Sequence, residues 1–462
     1  MRRPAHAGQT RWCARTVICD ADSCSSQAAC PRLSHRRSGS RRHLEHGETI
    51  LGRRWPWLLA TAKRYLRIFS GPTRPRHREV VAFLVADRSF RFACTKFGDQ
   101  LTVRNRLVGP ESMQSRGVFA ALPLPPLDTV AVLARWLRLD VAELEWFADL
   151  KGLTARSPQP ALRHYKAIVL GKPAGDIRLI EAPKVRLKHL QRQILTDILD
   201  LIPPHPAAHG FLKHRSILSY VEPHIGRAAV LRLDLRSFFP SIPRSRVQAI
   251  FRTFGYPEHV AAMLGALCST PTPSHIWRSR GIDCNSEQLQ TVRNLYHRTH
   301  LPQGAPTSPA IANLCCWRLD SRLAGLARTA GAAYTRYADD LAFSGDEAFL
   351  KHAAGFATRV AAIAIEEGFL VHYRKTRLMR PGVRQHLAGL VVNQRCNLPR
   401  KDFDQLKAIL TNCIRTGPDV QNRARHPDFR AHLAGRIAFV ESIHPERASR
   451  LRVLLHRIEW PY

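Results

Sequence analysis

The sequence predicts an α+β fold, in which strands and helices are mixed without a regular βαβ repeat. Alternating apolar residues predict strands at Ile177–Pro183 and Val230–Leu235. Two shorter strand patterns, Ala333–Tyr337 and Leu341–Phe343, flank the dipeptide Asp339-Asp340. Together they predict a hairpin whose turn presents two carboxylates.

The first segment, residues 1–112, is strongly basic, contains the polar stretch Ser34–Arg42 and shows little sustained periodicity. We predict that it is either upstream sequence that is not normally translated or a disordered basic arm. Under the first alternative, Met113 is the true start of the protein.

Regular structure is predicted to begin after Met113, in an N-terminal helical segment that covers residues 113–160. Asp128 is positioned to cap a first helix, and Asp140 with Glu143 forms a capping box for a second. Further helices are predicted from apolar residues that recur at spacings of three and four, at Leu187–Leu201, Phe349–Glu367, Phe403–Thr416 and Asp428–Ser442.

The chain has 462 residues, with 71 lysines and arginines against 36 aspartates and glutamates, a formal net charge of +35. This excess favours a polyanionic partner, nucleic acid ahead of a membrane surface, because each neutralised phosphate releases a condensed counterion. The 11 cysteines include no Cys-x-x-Cys pair, which argues against a zinc ribbon. Apolar runs such as Val80–Ala86 are too short to span a membrane, and Met1–Arg11 lacks an apolar signal region. We expect a cytoplasmic protein that does not bind membranes.

Three aspartates lie in apolar segments, where an uncompensated carboxylate is costly. Asp234 is in the pattern Val230–Leu235, and Asp339 and Asp340 occupy the predicted hairpin turn. If the fold brings them together, their repulsion is most simply offset by Mg²⁺, which prefers oxygen ligands and serves phosphoryl transfer, often in pairs. An Asp-Asp pair in a turn is by itself ordinary turn chemistry, so the prediction depends on neighbouring motifs.

Those motifs resemble reverse transcriptases. Tyr337-Ala338-Asp339-Asp340 resembles their YxDD box, Asp234 with Phe238-Phe239 resembles their first acidic motif, and Leu301–Pro309 is similar to the LPQG box between them. The resemblance runs from about Leu127 to Trp460 with the motifs in the family order. It implies a right-hand polymerase with fingers and palm in residues 161–394 and a short helical thumb in residues 395–462.

Within that superfamily the chain is most similar to the bacterial retron-type reverse transcriptases, whose outline the segment Ser216–Gly226 shares. Two departures stand out: Tyr220-Val221-x-x-His224 replaces Asn-Ala-x-x-His, and Leu387-Ala388-Gly389 replaces Val-Thr-Gly. These positions are linked in the family to recognition of a cognate structured RNA, so they bear on retron membership and not on polymerase chemistry. The polar stretch Pro271–His300 looks like an insertion in the fingers.

The resemblance also implies roles for individual side chains. Asp234, Asp339 and Asp340 would hold two Mg²⁺ ions, with Mn²⁺ as a substitute. Lys375 would protonate the departing pyrophosphate or, as part of the basic run Tyr373–Arg377, contact the phosphate backbone. The nucleotide and template would be bound by Arg178 and Lys172 at the triphosphate, Phe239 beneath the sugar, and Gln303, Gly304 and Tyr337 nearby. Phe238 must point away from its neighbour, so a shift of one residue in register would exchange the two phenylalanines.

The activity that the resemblance implies is RNA-directed DNA polymerisation, with template RNA, an RNA–DNA hybrid and deoxynucleoside triphosphates as partners. Retron-type relatives imply in addition a cognate noncoding RNA that supplies a priming 2′-hydroxyl, an effector protein and a role in antiphage defence. Two alternatives stay open from the sequence: another defence-associated reverse transcriptase without a retron RNA, and a catalytically silent nucleic-acid-binding regulator.

Overall fold

The computed structural model describes residues 44–45, 47–69, 75, 77–101, 112–171, 177–277 and 286–460. The chain forms two compact units, residues 1–111 and 112–462. In its described part the first unit contains helices α1 (Pro56–Ile68), α2 (His77–Ala86) and α3 (Arg88–Phe97).

A small aromatic core holds the first unit together. Trp55, Trp57 and Phe90 are buried there, and the Arg64 guanidinium forms an ion pair of 2.6 Å with Asp87, the N-cap of α3. The sequence analysis missed these helices, although α3 does bury Phe90 and Ala93 on one face. Whether residues 1–112 are natively translated stays a prediction.

The second unit begins with three short helices, α4 (Val130–Trp136), α5 (Val141–Ala148) and α6 (Leu153–Arg156). Asp140 and Glu143 form the predicted capping box of α5. The predicted cap of α4 is wrong: Thr129 caps that helix, whereas Asp128 accepts a hydrogen bond of 2.6 Å from the backbone N–H of Met113.

A two-stranded antiparallel hairpin follows, formed by β1 (Tyr165–Gly171) and β2 (Ile177–Pro183), with Tyr165 opposite Pro183. Helix α7 (Val185–Asp197) continues directly from β2 and buries Leu187, Leu190 and Ile194. It is shorter than its predicted span because the last apolar residues form a separate 3₁₀ turn at Leu199–Leu201. The next helix is α8 (Ile217–Val221).

A five-stranded antiparallel sheet forms the centre of the unit. Its middle strand β3 (Ala229–Arg236) pairs with β5 (Asp340–Gly345), β6 (Leu370–Val371) and β7 (Arg377–Met379), and β5 also pairs with β4 (Ala333–Tyr337). The register places Asp234 directly opposite Asp340. A separate small hairpin consists of β8 (His386–Leu387) and β9 (Leu390–Val391).

Five helices beside this sheet contribute to the main apolar core: α9 (Arg244–Thr253), α10 (Glu258–Leu267), α12 (Ser308–Cys315), α13 (Trp317–Thr329) and α14 (Glu347–Glu366). Helix α11 (Ser286–His297) belongs instead to a smaller cluster, where its Tyr296 is buried with Leu179 and Trp277. In the described ranges, α14 alone is long and apolar enough to cross a membrane by length and composition. Its Phe349, Phe356 and Val360 are buried in the main core, which is the position of an internal helix.

The last part of the chain is helical, with α15 (Arg400–Thr416), α16 (Pro418–Gln421), α17 (Phe429–Ile443) and α18 (Pro445–His456). These helices have an apolar core of their own, which includes Leu406, Leu433 and Leu451. The predicted α+β class is confirmed, and the boundaries drawn between fingers, palm and thumb remain predictions.

A fully buried ion pair lies beneath the turn between β4 and β5. Arg336 on β4 donates to both carboxylate oxygens of Asp320 on α13, at 2.8 and 2.7 Å, and both side chains are inaccessible to solvent. The same guanidinium donates to the side-chain oxygen of Asn313 and to the carbonyl oxygen of Ala338 in the turn. The hairpin tip is thereby fixed to two core helices.

We expect Arg336→Met to lower the free energy of unfolding by about 3–5 kcal/mol, because it leaves the Asp320 carboxylate buried without its cation. Chemical denaturation measures the change. Arg400→Met is the matched control, since its ion pair with Asp404 is exposed and its loss should cost under about 0.5 kcal/mol. Equal effects of the two substitutions would contradict the structural role of Arg336.

Candidate active site

The three predicted aspartates converge at one end of the central sheet. Asp234 near the end of β3 lies opposite Asp340 at the start of β5, and residues in such opposed positions have Cβ atoms about 4.5–5.5 Å apart. The turn adds Asp339, whose carbonyl oxygen accepts a hydrogen bond of 2.9 Å from the N–H of Leu235. Ala338 takes a left-handed conformation with φ of 55° at the tip.

The backbone at this tip is closely packed against the preceding loop. Asn313 on α12 donates to the carbonyl oxygen of Gly210 at 2.9 Å. A Cβ atom added to Gly210 would lie 2.7 Å from the backbone nitrogen of Ala338, so only glycine permits this approach. The position of the acidic turn therefore depends on packing as well as on strand register.

Two of the three carboxylates are bound to cationic side chains. The Lys375 ammonium donates to both oxygens of Asp234 at 2.9 Å, and the Arg232 guanidinium donates to both oxygens of Asp340 at 2.8 and 3.0 Å. Asp339 has no such partner among the residues that the structure describes. Burial and the charges of Asp234 and Asp340 raise the pKa of Asp339 to about 6.

The sequence analysis missed Arg232. Its position two residues before Asp234 on the same strand places both side chains on one face of the sheet, which is the signal that could have identified it.

The donor set fits hard divalent cations, because the carboxylates supply only oxygen ligands. No preformed group of three carboxylate, imidazole or thiolate side chains suitable for a metal was found in the described ranges. Lys375 and Arg232 hydrogen-bond two of the carboxylates that would act as ligands. An ion bound at Asp234 would compete with the Lys375 ammonium for the carboxylate oxygens.

A cleft of about 480 Å³ opens in front of the aspartates. The structure brings most of the predicted site residues together there: Arg178, Asp234, Phe239, Gln303, Tyr337, Asp339, Asp340 and Lys375. Gly304 lines an adjoining groove that shares Phe239 and Gln303 with the cleft. Lys172 lies outside the described residues. Further lining residues that the sequence analysis did not identify include Phe211, Tyr296 and His372.

The two adjacent phenylalanines point in different directions. Phe238 is buried in the main core, with its ring centroid 5.7 Å from that of Phe369. Phe239 is half-buried and lines the cleft. Phe238 also borders the cleft but is only 4% exposed, so Phe239 presents the more accessible ring there.

The Leu301–Pro309 segment is fastened to strand β2. The carbonyl oxygen of Gln303 accepts a hydrogen bond of 2.8 Å from the N–H of Glu181. Gly304 has φ of +130°, and a Cβ atom there would lie 3.0 Å from the carbonyl oxygen of Glu181. This close contact places Gln303 and Arg178, which also belongs to β2, in the same cleft.

The polar stretch Pro271–His300 contains α11, and its two ends are tied together. Thr270 and His300 exchange backbone hydrogen bonds of 3.0 and 3.1 Å. The Glu181 carboxylate, fully enclosed, bonds to Thr272 at 2.7 Å and His300 at 2.8 Å. The inserted stretch is thus anchored to the hairpin that carries Arg178.

His224, retained from the retron motif, is completely buried. Its ring nitrogens lie 2.7 Å from the hydroxyls of Ser344 on β5 and Thr335 on β4. Burial lowers the pKa of His224 to about 3, so the ring is neutral. In this structure the residue links the two strands that carry the acidic turn.

Comparison with known proteins agrees with this geometry. Residues 170–406 match the family described as reverse transcriptase (RNA-dependent DNA polymerase). Retron Mx65 reverse transcriptase of Myxococcus xanthus is 37% identical over 360 residues, 77% of each chain. Retron Mx162 reverse transcriptase of the same organism is 35% identical over 73% of this chain and 68% of the relative. Retron Ec86 reverse transcriptase of Escherichia coli is 31% identical over 63% of this chain and 79% of the relative.

The chain belongs to the reverse transcriptase family, and its fold has the mixed helix and sheet of the fingers, palm and thumb of those enzymes. Within the family it is an RNA-directed DNA polymerase of the retron type.

Proposed function

We propose that the protein synthesises DNA by two-metal nucleotidyl transfer at Asp234, Asp339 and Asp340, with Mg²⁺ as the cofactor and Mn²⁺ as a substitute. The convergence of these three carboxylates in one cleft carries the proposal. When bound, the metal ions would activate the primer hydroxyl and stabilise the leaving oxygen.

The other cleft residues position the substrate. Arg178 presents a planar guanidinium to the triphosphate, a geometry that suits phosphate oxygens, and Lys172 is proposed to assist. Gln303, Gly304 and Tyr337 border the nucleotide and template. Lys375 carries its proton at Nζ and, once it leaves Asp234, would donate that proton to the departing pyrophosphate.

Phe239 is the proposed selector for deoxynucleotides. Its ring lines the cleft next to the aspartates, where an incoming sugar would lie on it. A 2′-hydroxyl on that sugar would clash with the ring. Its neighbour Phe238 also borders the cleft, but it is only 4% exposed and packs into the main core.

The proposed template is a cognate noncoding RNA whose 2′-hydroxyl primes synthesis, in the cytoplasm, with an effector protein in antiphage defence. The similarity to three proteins named as retron reverse transcriptases supports this proposal. The departures at Tyr220 and at Leu387-Ala388-Gly389 imply that the RNA is recognised through different contacts. Ala388 lines the active-site cleft, where such a contact could reach the nucleic acid.

We expect Asp339→Asn to reduce primer extension on an RNA template by at least about 10²- to 10³-fold, the loss typical of removing one key electrostatic group from an active site. Gel analysis of extension products with Mg²⁺ measures the effect. Asp404→Asn on the exposed side of α15 is the control and should retain full activity. Equal activity of both variants would refute the proposed metal site.

Phe239→Val should admit ribonucleotides, because the smaller side chain leaves room for a 2′-hydroxyl. We expect the ratio of kcat/KM for deoxynucleotides over ribonucleotides to fall roughly 10- to 100-fold, within the range for a lost packing contact. Phe238→Val is the matched variant, and it should lower stability without changing that ratio. Unchanged discrimination in Phe239→Val would exclude Phe239 as the selector.

Sequencing of the nucleic acid that copurifies with the native protein tests the template. A retron predicts one RNA species covalently joined to DNA copied from it, and we expect that hybrid to be absent from Asp339→Asn preparations. DNA without a fixed RNA partner would instead indicate a defence-associated reverse transcriptase that uses no retron RNA.

A further inference from the structure

A second concave site lies between helices α5 and α6 and the β1–β2 hairpin. Its volume is about 460 Å³, within the usual range for small-ligand sites. None of the described residues that line it also lines the active-site cleft. On β2, Glu181 borders this pocket while Arg178 borders the cleft, and residues three apart on a strand point to opposite faces.

Four cationic side chains line the pocket: Arg163, Lys166, Lys184 and Arg244. In the described part of the chain none of them forms an ion pair with a carboxylate. The pocket does contain two carboxylates, and both are engaged elsewhere. Asp149 accepts hydrogen bonds from the start of α6, and Glu181 is bound to Thr272 and His300.

Backbone carbonyls hold three of these cations in place without neutralising them. Lys184 donates to the carbonyl oxygens of Pro160 and Ala161 at 2.8 and 2.7 Å. Arg163 donates to that of Ser157 at 3.1 Å, and Arg244 to that of Leu150 at 3.1 Å. Their charges are therefore oriented before any ligand arrives.

The fourth cation, Lys166, is available to bind an anion. Its exposed ammonium forms no hydrogen bond or ion pair with any described residue. Burial and the positive charges of Lys166 and Arg163 lower the pKa of Lys184. An anion placed between these groups would relieve that repulsion.

The rest of the lining is largely apolar, with Phe147, Pro160, Ala161 and Ile276 among its residues. A pocket that joins apolar walls to unneutralised cations is complementary to a nucleotide, whose base is flat and apolar on its faces and whose phosphate is anionic. We propose that this pocket is an accessory site for one nucleotide of a single-stranded RNA segment, with its phosphate at Lys166 and Lys184. We favour an RNA strand over a free nucleotide as the occupant, because the chain carries a net charge of +35 and copies RNA.

Lys166→Glu in the full chain tests the site, because this side chain can be changed without breaking a described contact. The probe is a fluorescent oligouridine whose anisotropy is followed over a series of salt concentrations. Loss of one phosphate contact should reduce the magnitude of the slope of log K against log salt by about 0.7. If the variant and the wild-type protein bind equally at 1 M salt, this difference makes the variant bind about fourfold more weakly at 0.15 M salt. Lys351→Glu, an exposed change on α14, is the control with the same charge.

Ala155→Leu provides a second variant, since it narrows the pocket without altering its charge. Oligouridine carrying 4-thiouridine should crosslink to peptides of the pocket in the wild-type protein and several-fold less in this variant, at an unchanged melting temperature. Primer extension on saturating, preannealed primer and template should stay normal in Lys166→Glu, which separates this site from the catalytic proposal.

Identical affinity and salt slope in Lys166→Glu and Lys351→Glu would overturn the proposal. Displacement of the crosslink by ATP, with oligouridine affinity unchanged in Lys166→Glu, would also overturn it, because the occupant would then be a free nucleotide.

Discussion

The buried ion pair between Arg336 and Asp320 fixes the turn that carries two of the three aspartates proposed to be catalytic. Removing two charges from water is expensive, and the guanidinium offsets that penalty only because its donors find Asp320, Asn313 and the carbonyl oxygen of Ala338. Those partners lie on two helices and on the turn itself. The acidic turn therefore cannot shift without leaving a buried charge unpaired.

This rigidity matters because two of the carboxylates are bound to cationic side chains. Lys375 and Arg232 neutralise Asp234 and Asp340, so the cleft does not present a strong negative field to approaching nucleic acid. Asp339 is the exception, and burial together with its two neighbours raises its pKa to about 6. A fixed backbone whose carboxylates are already paired with side-chain cations suits the proposed binding of metal together with a triphosphate.

The sequence allowed a correct prediction of the structure where the signal lies in residues close together along the chain. Strand alternation located β2 and the β4–β5 hairpin, and the motifs around Asp234 and Asp339 selected residues that the fold does bring into one cleft. Pairs of residues far apart along the chain could not be predicted in this way. No sequence pattern indicates the ion pair of Asp320 with Arg336, which forms only when α13 packs against β4. The direction of Phe239 was likewise undetermined, because it depends on the conformation of the chain after β3, where Ser237 has φ of 48°.

Glu181 connects strand β2 to the start of the Leu301–Pro309 segment. Its N–H bonds to the carbonyl oxygen of Gln303, and its carboxylate binds His300, directly before the Leu301–Pro309 segment. Burial lowers the pKa of His300, but the charge and hydrogen bond of Glu181 outweigh burial and raise it. The pair therefore contributes most stability below the ordinary pKa of histidine and loses it as pH rises through the raised value. Because Glu181 ties the start of the Leu301–Pro309 segment to β2, the strand that carries Arg178, the two sides of the proposed nucleotide site are mechanically coupled.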